Sequence, residues 1–465
     1  MFNYLKINDP FRFIVIIFLL LLVRLPFYFY GGITQQNELQ YLLLGQKVSE
    51  GFWLYSEIYT SIGPLAGWLY GLLDFLFGSS LVAHHILNFL LIAIQCFLFG
   101  KLINGNKATF EQTAIPVLLF GLFMSLSPAS YTLSPFVLAQ TFILLALNFQ
   151  FSHLEFRIKR DEKIFAIGIY FAIAALFMQS LTIFMGISFL IFILFTNTLL
   201  RRYFLLAYGF ILPILLLPTI YLLKGHAGDL YLVVIGLFDQ GVVNGLTGLG
   251  KVWIVPAIYF SFSILAIAAS GRFSNYQSTL IQVMFIWMVS CGLIFYLSDG
   301  GSPILLHLFT LPVAFFTTHF FLIVKRKRLI NIAFYFLLFS IVGTNLLHVY
   351  RPSGFDAYLG NEQRLTENSW TDTVEGKRIL VLGPQVHYYY KAKHASRFFD
   401  WRLSEKYFTS TPDYGNISEV FQGIMTDFPD IIIDEDNLMG KFMPKIPEIR
   451  ENYEKIPGRP AWKKI

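Results

Sequence analysis

The first polar residues able to do chemistry lie just after an apolar block that ends at Tyr30. Glu38, preceded by Asn37, is the strongest candidate. A carboxylate at the edge of an apolar segment can act as a general base or help to hold a divalent cation such as Mg²⁺ or Mn²⁺. Asn37 can orient a substrate but cannot accept a proton at neutral pH. The alternative for Glu38 is a solvated acid at the start of a surface helix.

A second group of candidates lies inside or beside the apolar blocks themselves. Arg24 interrupts the run LLVRLPF, where a charge is costly and usually faces a cavity or a partner. We expect Arg24 to contact a phosphate, with snorkelling to the interface or a structural ion pair as the alternatives. His84 and His307 lie near the ends of later blocks and are candidates for binding phosphate or sugar, against structural roles in the packing.

The elements that must position these residues are membrane helices. Hydrophobic residues make up 55% of the 465 positions and charged residues 14%, whereas soluble domains carry about 25% charged residues. The apolar residues form blocks of the length that crosses a bilayer as a helix. We therefore predict an all-α polytopic membrane protein with about eleven spans. The predicted spans are residues 13–30, 81–101, 113–127, 132–152, 164–180, 182–199, 203–223, 253–271, 277–297, 303–324 and 329–348.

The basic residues predict the orientation of these helices. Lys and Arg cluster at residues 157–163, 201–202 and 325–328, and such clusters stay on the cytoplasmic side. All basic clusters fall on one side if residues 31–80 lie wholly outside, with the short segment 64–78 as an interfacial helix rather than a span. The N-terminus is then cytoplasmic and residues 351–465 are extracytoplasmic.

The composition changes after Tyr350, and residues 351–465 have the pattern of a small α/β domain. Residues 377–383 and 430–434 are predicted buried strands, and residues 417–428 and 446–453 are predicted helices. A strand, a helix and a second strand indicate a parallel sheet covered by helices. The predicted domains are therefore a membrane domain over residues 1–350, with an external loop over 31–80, and an extracytoplasmic domain over 351–465.

Three stretches carry a resemblance to a known superfamily. Residues 37–65, ending with LFGSS at 76–80, are similar to a first external loop in which an acidic pair opens a surface helix and Pro-Leu opens the next one. Residues 298–312 resemble a late span of the same proteins, and the runs RILVLG, ASRFF and FPDIIID resemble their C-terminal tail. Together these stretches resemble the GT-C superfamily of polytopic glycosyltransferases, which includes protein O-mannosyltransferases and aminoarabinose transferases.

The resemblance implies a function and assigns roles. It implies transfer of a sugar from a polyprenyl-phosphate carrier to a glycan, lipid or protein acceptor on the outer face of a bacterial inner membrane. Glu38 would be the catalytic carboxylate. The substrate-binding candidates are Arg24, Asn37, Tyr55, Glu57, His84 and His307.

Two departures from the superfamily pattern leave other functions open. Asn37 stands where an acid is usual, and the loop at residues 127–134 has no carboxylate, so the sequence offers a single acid and no assigned metal ligands. A non-catalytic scaffold or accessory membrane subunit is the first alternative, and a lipid-glycan transporter is the second. The sequence gives no support for nucleic-acid binding.

Overall fold

The computed structural model describes residues 2–30, 36–155, 161–196, 199–225, 249–270, 273–297, 303–350, 370–409 and 414–465. Residues 157–160 of the predicted basic cluster at 157–163 lie outside the described residues. So do residues 226–248 and 298–302, which are most of the predicted outer loops at 224–252 and 298–303. The chain divides into two compact units. We call residues 1–32, 84–219 and 240–362 the helical unit, and residues 33–83, 220–239 and 363–465 the mixed unit.

The predicted helical membrane architecture is confirmed: a described helix overlaps each of the eleven predicted spans. In chain order the helices are α1 (Pro10–Tyr30), α2 (Gln36–Ser49), α3 (Pro64–Phe77), α4 (Leu81–Gly100), α5 (Ile115–Met124), α6 (Pro135–Glu155), α7 (Asp161–Phe177), α8 (Ile183–Phe195), α9 (Leu200–Leu223), α10 (Leu249–Val252), α11 (Ile254–Ser270), α12 (Asn275–Leu297), α13 (Thr310–Ile323) and α14 (Lys327–Tyr350). A 3₁₀ turn, Pro303–Phe309, leads directly into α13.

Seven helices of the described residues are long and apolar enough to cross a membrane. They are Pro10–Phe29, Leu81–Gly105, Pro135–Leu154, Leu200–Leu223, Asn275–Leu297, Ile304–Ile323 and Lys327–Tyr350. The count of eleven spans therefore stays a prediction. The segment predicted to lie in the interface is α3, which has 14 residues and is about 21 Å long, shorter than the ~30 Å hydrocarbon core.

The C-terminal residues form the small sheet expected from their two buried apolar runs. The strands are β1 (Arg378–Val381), β2 (Lys393–His394), β3 (Ile431–Ile433), β4 (Tyr453–Lys455) and β5 (Ala461–Lys464), and the helices are α15 (Thr371–Val374), α16 (Trp401–Thr409), α17 (Tyr414–Met425) and α18 (Pro447–Asn452). The order is β2-β1-β3-β5-β4, with β1 parallel to β2 and to β3. The predicted parallel pair of buried strands is confirmed, whereas the short β2 and the β4–β5 hairpin were not predicted.

The two faces of this sheet are covered by different elements of the mixed unit. Leu380 and Ile432 face a core completed by Tyr59 and by residues of α16 and α17. Ile379 and Ile431, whose side chains point the opposite way, belong to a core that includes Leu39 and Leu43 of α2, as the period of two in a strand requires. Helix α2, from the predicted external loop, thus covers one face of the sheet. The domain boundary predicted near residue 350 stays a prediction, whereas the packing groups residues 33–83 with the tail.

Candidate functional site

Glu38 lies in the first turn of α2, and only 1% of its surface is exposed. A carboxylate in the first turn is stabilised by the positive end of the helix dipole. Because only 1% of its surface is exposed, the Glu38 side chain does not point into bulk solvent. General-base chemistry on a bound substrate requires such a sheltered position. Its catalytic role stays a prediction.

The surroundings of Glu38 are set by the packing of α2 on α3. The ring of Tyr41, one turn after Glu38, stacks on the ring of Tyr70 with centroids 5.2 Å apart. Gly45, on the same side of α2, lies so close to α3 that a Cβ there would be 2.7 Å from the carbonyl oxygen of Tyr70. Burial, with a smaller contribution from the charge of Glu38, raises the pKa of Tyr41. Tyr41 is therefore a neutral hydroxyl beside the acid.

The other candidates of the external loop are engaged within the mixed unit or exposed. Asn37 is exposed although its neighbour is buried. Tyr55 has a positive φ of 65°, and its hydroxyl donates to the carbonyl oxygen of Ile62 at 2.7 Å. A carboxylate oxygen of Glu57 accepts a hydrogen bond from the backbone N–H of Trp53 at 2.7 Å. Tyr55 and Glu57 thus shape their own turn, and their predicted contacts with substrate stay predictions.

Arg24 is fully buried in the helical unit, and its guanidinium is surrounded by protein oxygens. Its Nε donates to Oγ of Ser125 at 3.2 Å, its Nη1 to Oδ1 of Asn88 at 3.2 Å and its Nη2 to the carbonyl oxygen of Met124 at 3.3 Å. The guanidinium carbon also lies 4.5 Å from the centre of the Tyr131 ring. Met124 ends α5, so Arg24 binds the negative end of a helix. These contacts agree with the structural alternative, and the predicted contact of Arg24 with a phosphate stays a prediction.

His307 differs from Arg24, because its polar atoms are buried without protein partners. The residue is in the 3₁₀ turn before α13 and is fully buried. Neither ring nitrogen has a hydrogen-bond partner among the described residues. The ring of Trp253 lies edge-on with its centroid 5.6 Å away. A buried polar group without a partner costs free energy and calls for an explanation such as a bound ligand or water. His84 is also buried, four residues before Asn88 on α4.

Sequence reasoning missed the polar network around Arg24. Asn88 donates to the carbonyl oxygen of Thr132 at 2.7 Å, and Tyr131 donates to the carbonyl oxygen of Ser125 at 3.1 Å. Asn345 of α14 joins the same cluster through Tyr131. Polar residues within apolar blocks are the signal that could have found it, because such residues bond across helices. Which helices meet was not readable from the sequence.

No group of three or more His, Cys, Asp or Glu side chains in the described part of the chain is arranged to hold a metal ion. One carboxylate is a poor cage for Mg²⁺ or Mn²⁺, which prefer several oxygen ligands. The possible divalent cation stays a prediction.

The fold is similar to that of other solved structures. It is similar to ArnT from Cupriavidus metallidurans bound to undecaprenyl phosphate, with a TM-score of 0.58, 13% identity and 97% of both chains covered. It is also similar to the Archaeoglobus fulgidus oligosaccharyltransferase in its apo form, with a TM-score of 0.53, 10% identity and 94% of this chain and 71% of that chain covered. Both are GT-C glycosyltransferases. The chain has a GT-C fold.

A third solved structure extends the comparison of the GT-C fold. It is the Archaeoglobus fulgidus AglB in complex with an inhibitory peptide and a dolichol-phosphate, with a TM-score of 0.53, 12% identity and 97% of this chain and 74% of that chain covered. No family model matches the sequence, and no curated protein matches it. At these identities the comparisons establish the GT-C fold alone. The predicted transferase subtype and bacterial origin stay predictions.

Proposed function

We propose that this chain transfers a sugar from a polyprenyl-phosphate carrier to an acceptor, with Glu38 as the general base. The observation that carries the proposal is a buried carboxylate in the first turn of α2 in a chain with a GT-C fold. The structures of ArnT with undecaprenyl phosphate and of AglB with dolichol-phosphate support a lipid-phosphate donor. The acceptor is a glycan, a lipid or a protein.

The chemistry assigns a defined step to Glu38. Its carboxylate removes the proton from an acceptor hydroxyl as the hydroxyl oxygen forms a bond to C1 of the sugar. The bond between C1 and the phosphate oxygen breaks, and the carrier phosphate leaves with the electron pair. Tyr41 stays protonated because burial raises its pKa, so its hydroxyl can donate a hydrogen bond beside the acid.

The remaining candidates receive different roles in this proposal. His307 is the substrate-binding candidate of the helical unit, because its ring nitrogens are buried and have no partner among the described residues. Arg24 connects α1, α4 and the end of α5, and we assign it a structural role, with binding of the carrier phosphate as the alternative. Asn37, Tyr55, Glu57 and His84 are secondary candidates for contacts with donor or acceptor.

The proposal includes a location. The seven helices able to cross a membrane support a multi-pass membrane protein. We place it in the inner membrane of a bacterium, with a cytoplasmic N-terminus and residues 351–465 outside, because that orientation satisfies the positive-inside rule. Reactivity of single cysteines with an impermeant reagent in intact cells tests the orientation.

The direct experiment measures transfer by the purified full-length chain in liposomes. Polyprenyl-phosphate carriers bearing different radiolabelled sugars are supplied with an acceptor extract, and both released carrier phosphate and labelled product are measured. We expect product with one donor class. Absence of transfer with every donor, while the labelled carrier still binds, would favour the second candidate function.

That second candidate is an accessory membrane subunit with a GT-C fold. Two observations favour it: Asn37 is exposed where an acid is usual in the superfamily, and the described residues hold no cluster of metal-ligand type. Co-purification with a second membrane protein whose transferase activity depends on this chain would support it. Transfer by the single chain contradicts it.

A further inference from the structure

The last turn of α2 contains a buried cation, Lys47. Its side chain and that of Asp427, 380 residues further on, are each only 3% exposed, and the Lys47 ammonium donates a hydrogen bond to the Asp427 carboxylate. The Lys47 ammonium also lies 4.4 Å from the centre of the Phe52 ring. A buried ion pair of this kind is costly to desolvate, so it is not an ordinary surface contact.

Two further charges complete the cluster and connect it to the centre of the sheet. Nη1 of Arg378 lies 2.8 Å from the other oxygen of Asp427, and Nη2 of Arg378 lies 3.6 Å from a carboxylate oxygen of Glu50. Lys47 lies 3.9 Å from the same oxygen of Glu50. The four charges sum to zero. Arg378 begins β1 and Asp427 lies just before β3, so the cluster joins the end of α2 to the two central strands.

The spacing along α2 makes this cluster a rotational constraint. Leu39, Leu43 and Lys47 follow one another at intervals of four residues and form one face of the helix. Leu39 and Leu43 pack against the sheet, and Lys47 adds the ion pair at the end of that face. Tyr41 and Gly45 contact Tyr70 of α3 from another side. Apolar contacts persist after a small rotation or shift of a helix along its axis. A buried ion pair loses its hydrogen bond when the helix moves in this way.

We propose that Lys47 and Asp427 are positioning residues, which fix the rotation and register of α2 on the sheet and thereby the place of the Glu38 carboxylate. Glu38 and Lys47 are nine residues apart on one helix, about 14 Å at 1.5 Å per residue. Neither residue of the pair touches substrate. The catalytic part of this inference rests on the proposed function, whereas the register of α2 does not.

The test compares three variants of the full-length chain with a matched control. Lys47→Met with Asp427→Leu removes both charges, so that no buried charge remains unpaired and the protein folds. Lys47→Arg keeps a cation that can reach Asp427. Lys47→Met alone leaves Asp427 with Arg378. The control is Lys393→Met, the same chemical change at an exposed position of β2.

Hydrogen exchange of α2 and the kinetics of sugar transfer are measured for each variant. In the double variant we expect hydrogen exchange of the α2 amides to rise about tenfold or more because the constraint is lost, and kcat to fall about tenfold or more at an unchanged KM for the donor. Lys47→Arg should restore most of both properties, and Lys393→Met should resemble the wild type. Lys47→Met alone should fall between the double variant and the wild type.

The two measurements separate the two claims. A wild-type chain with no transfer activity would defeat the proposed function, while hydrogen exchange would still test the register of α2. Unchanged exchange of α2 in the folded double variant would overturn the positioning role. So would raised exchange with unchanged kcat, because Glu38 would then be placed correctly without the pair.

Discussion

Nη1 of Arg24 lies 3.2 Å from Oδ1 of Asn88, and the amide nitrogen of Asn88 donates in turn to the carbonyl oxygen of Thr132. This chain of hydrogen bonds joins α1 to α4 and to the segment before α6. Because lipid offers no alternative partners, groups bonded in this way are satisfied only by each other. The arrangement gives a buried charge a structural function, and it predicts what happens when the charge is removed.

Replacing Arg24 with Met should destabilise the protein by about 2–5 kcal/mol, because Asn88, Ser125 and the end of α5 lose a shared donor. Unfolding in detergent with increasing denaturant measures the change. Arg12→Met is the control, since Arg12 lies at the start of the same helix and donates to Ile7 in an exposed hydrogen bond. Unchanged stability combined with lost carrier binding would show instead that Arg24 is a phosphate ligand.

His307 and His319 make a matched pair for testing bound substrate. Both are buried, but His319 has the carbonyl oxygens of Phe315 and Ala108 within 3.0 and 3.3 Å, whereas the ring of His307 has no such partner among the described residues. His319→Leu should cost about 1–3 kcal/mol of stability. His307→Leu should cost none and raise the KM for the donor. An equal loss of stability in both variants would exclude the proposed difference between the two histidines.

The close approach of α2 and α3 predicts a steric effect at Gly45. A Cβ there would lie 2.7 Å from a backbone oxygen that cannot turn away. Gly45→Ala should therefore force the helices apart and cost about 1–3 kcal/mol. Gly292→Ala in α12, where a Cβ meets open space, should be neutral or stabilising by up to about 1 kcal/mol. Thermal unfolding of both variants measures the difference in stability. Equal melting temperatures would contradict the close contact between α2 and α3.

His394 predicts a loss of stability in mild acid. Burial, and then the nearby charge of Lys47, hold the pKa of His394 well below its usual value of 6.5. The unfolded chain therefore binds a proton that the folded chain does not, so stability is full above about pH 6.5 and falls as the pH drops below it, by at most about 1.4 kcal/mol per pH unit.

Thermal unfolding of the full chain between pH 7.5 and 5 measures this slope. His394→Gln, which cannot take up a proton, should flatten it. Acidification also protonates other groups, so the comparison is between the two slopes rather than between absolute values. Identical slopes in the wild type and the variant would show that His394 does not contribute.

The helices were predictable because each apolar block carries its own signal. A helix of the chain overlaps every predicted span, and the run RILV was readable as a buried strand from its length and residue types. The β4–β5 hairpin was missed because Tyr453–Lys455 and Ala461–Lys464 are short and at least half of the residues in each strand are charged. Such strands form only because β3 offers them a hydrogen-bonding edge.

The candidate site was less predictable, because burial depends on contacts far along the chain. The sequence predicted that Glu38 would open a surface helix. It did not predict that Leu39 and Leu43 of this helix would pack on β1 and β3. The same holds for Lys47. A lysine near a helix end is expected to face solvent, but Lys47 is buried and forms an ion pair with Asp427. Long-range ion pairs leave no local pattern in a single sequence.

Replacement of Glu38 by Gln is the measurement that tests the central claim most directly. Transfer of labelled sugar by the full-length chain in liposomes is compared for the wild type, Glu38→Gln and the control Glu57→Gln, with folding checked by thermal unfolding. The account predicts that Glu38→Gln lowers kcat about 10²–10⁴-fold, as expected for loss of a general base, and leaves donor binding intact. Wild-type turnover by folded Glu38→Gln would contradict it.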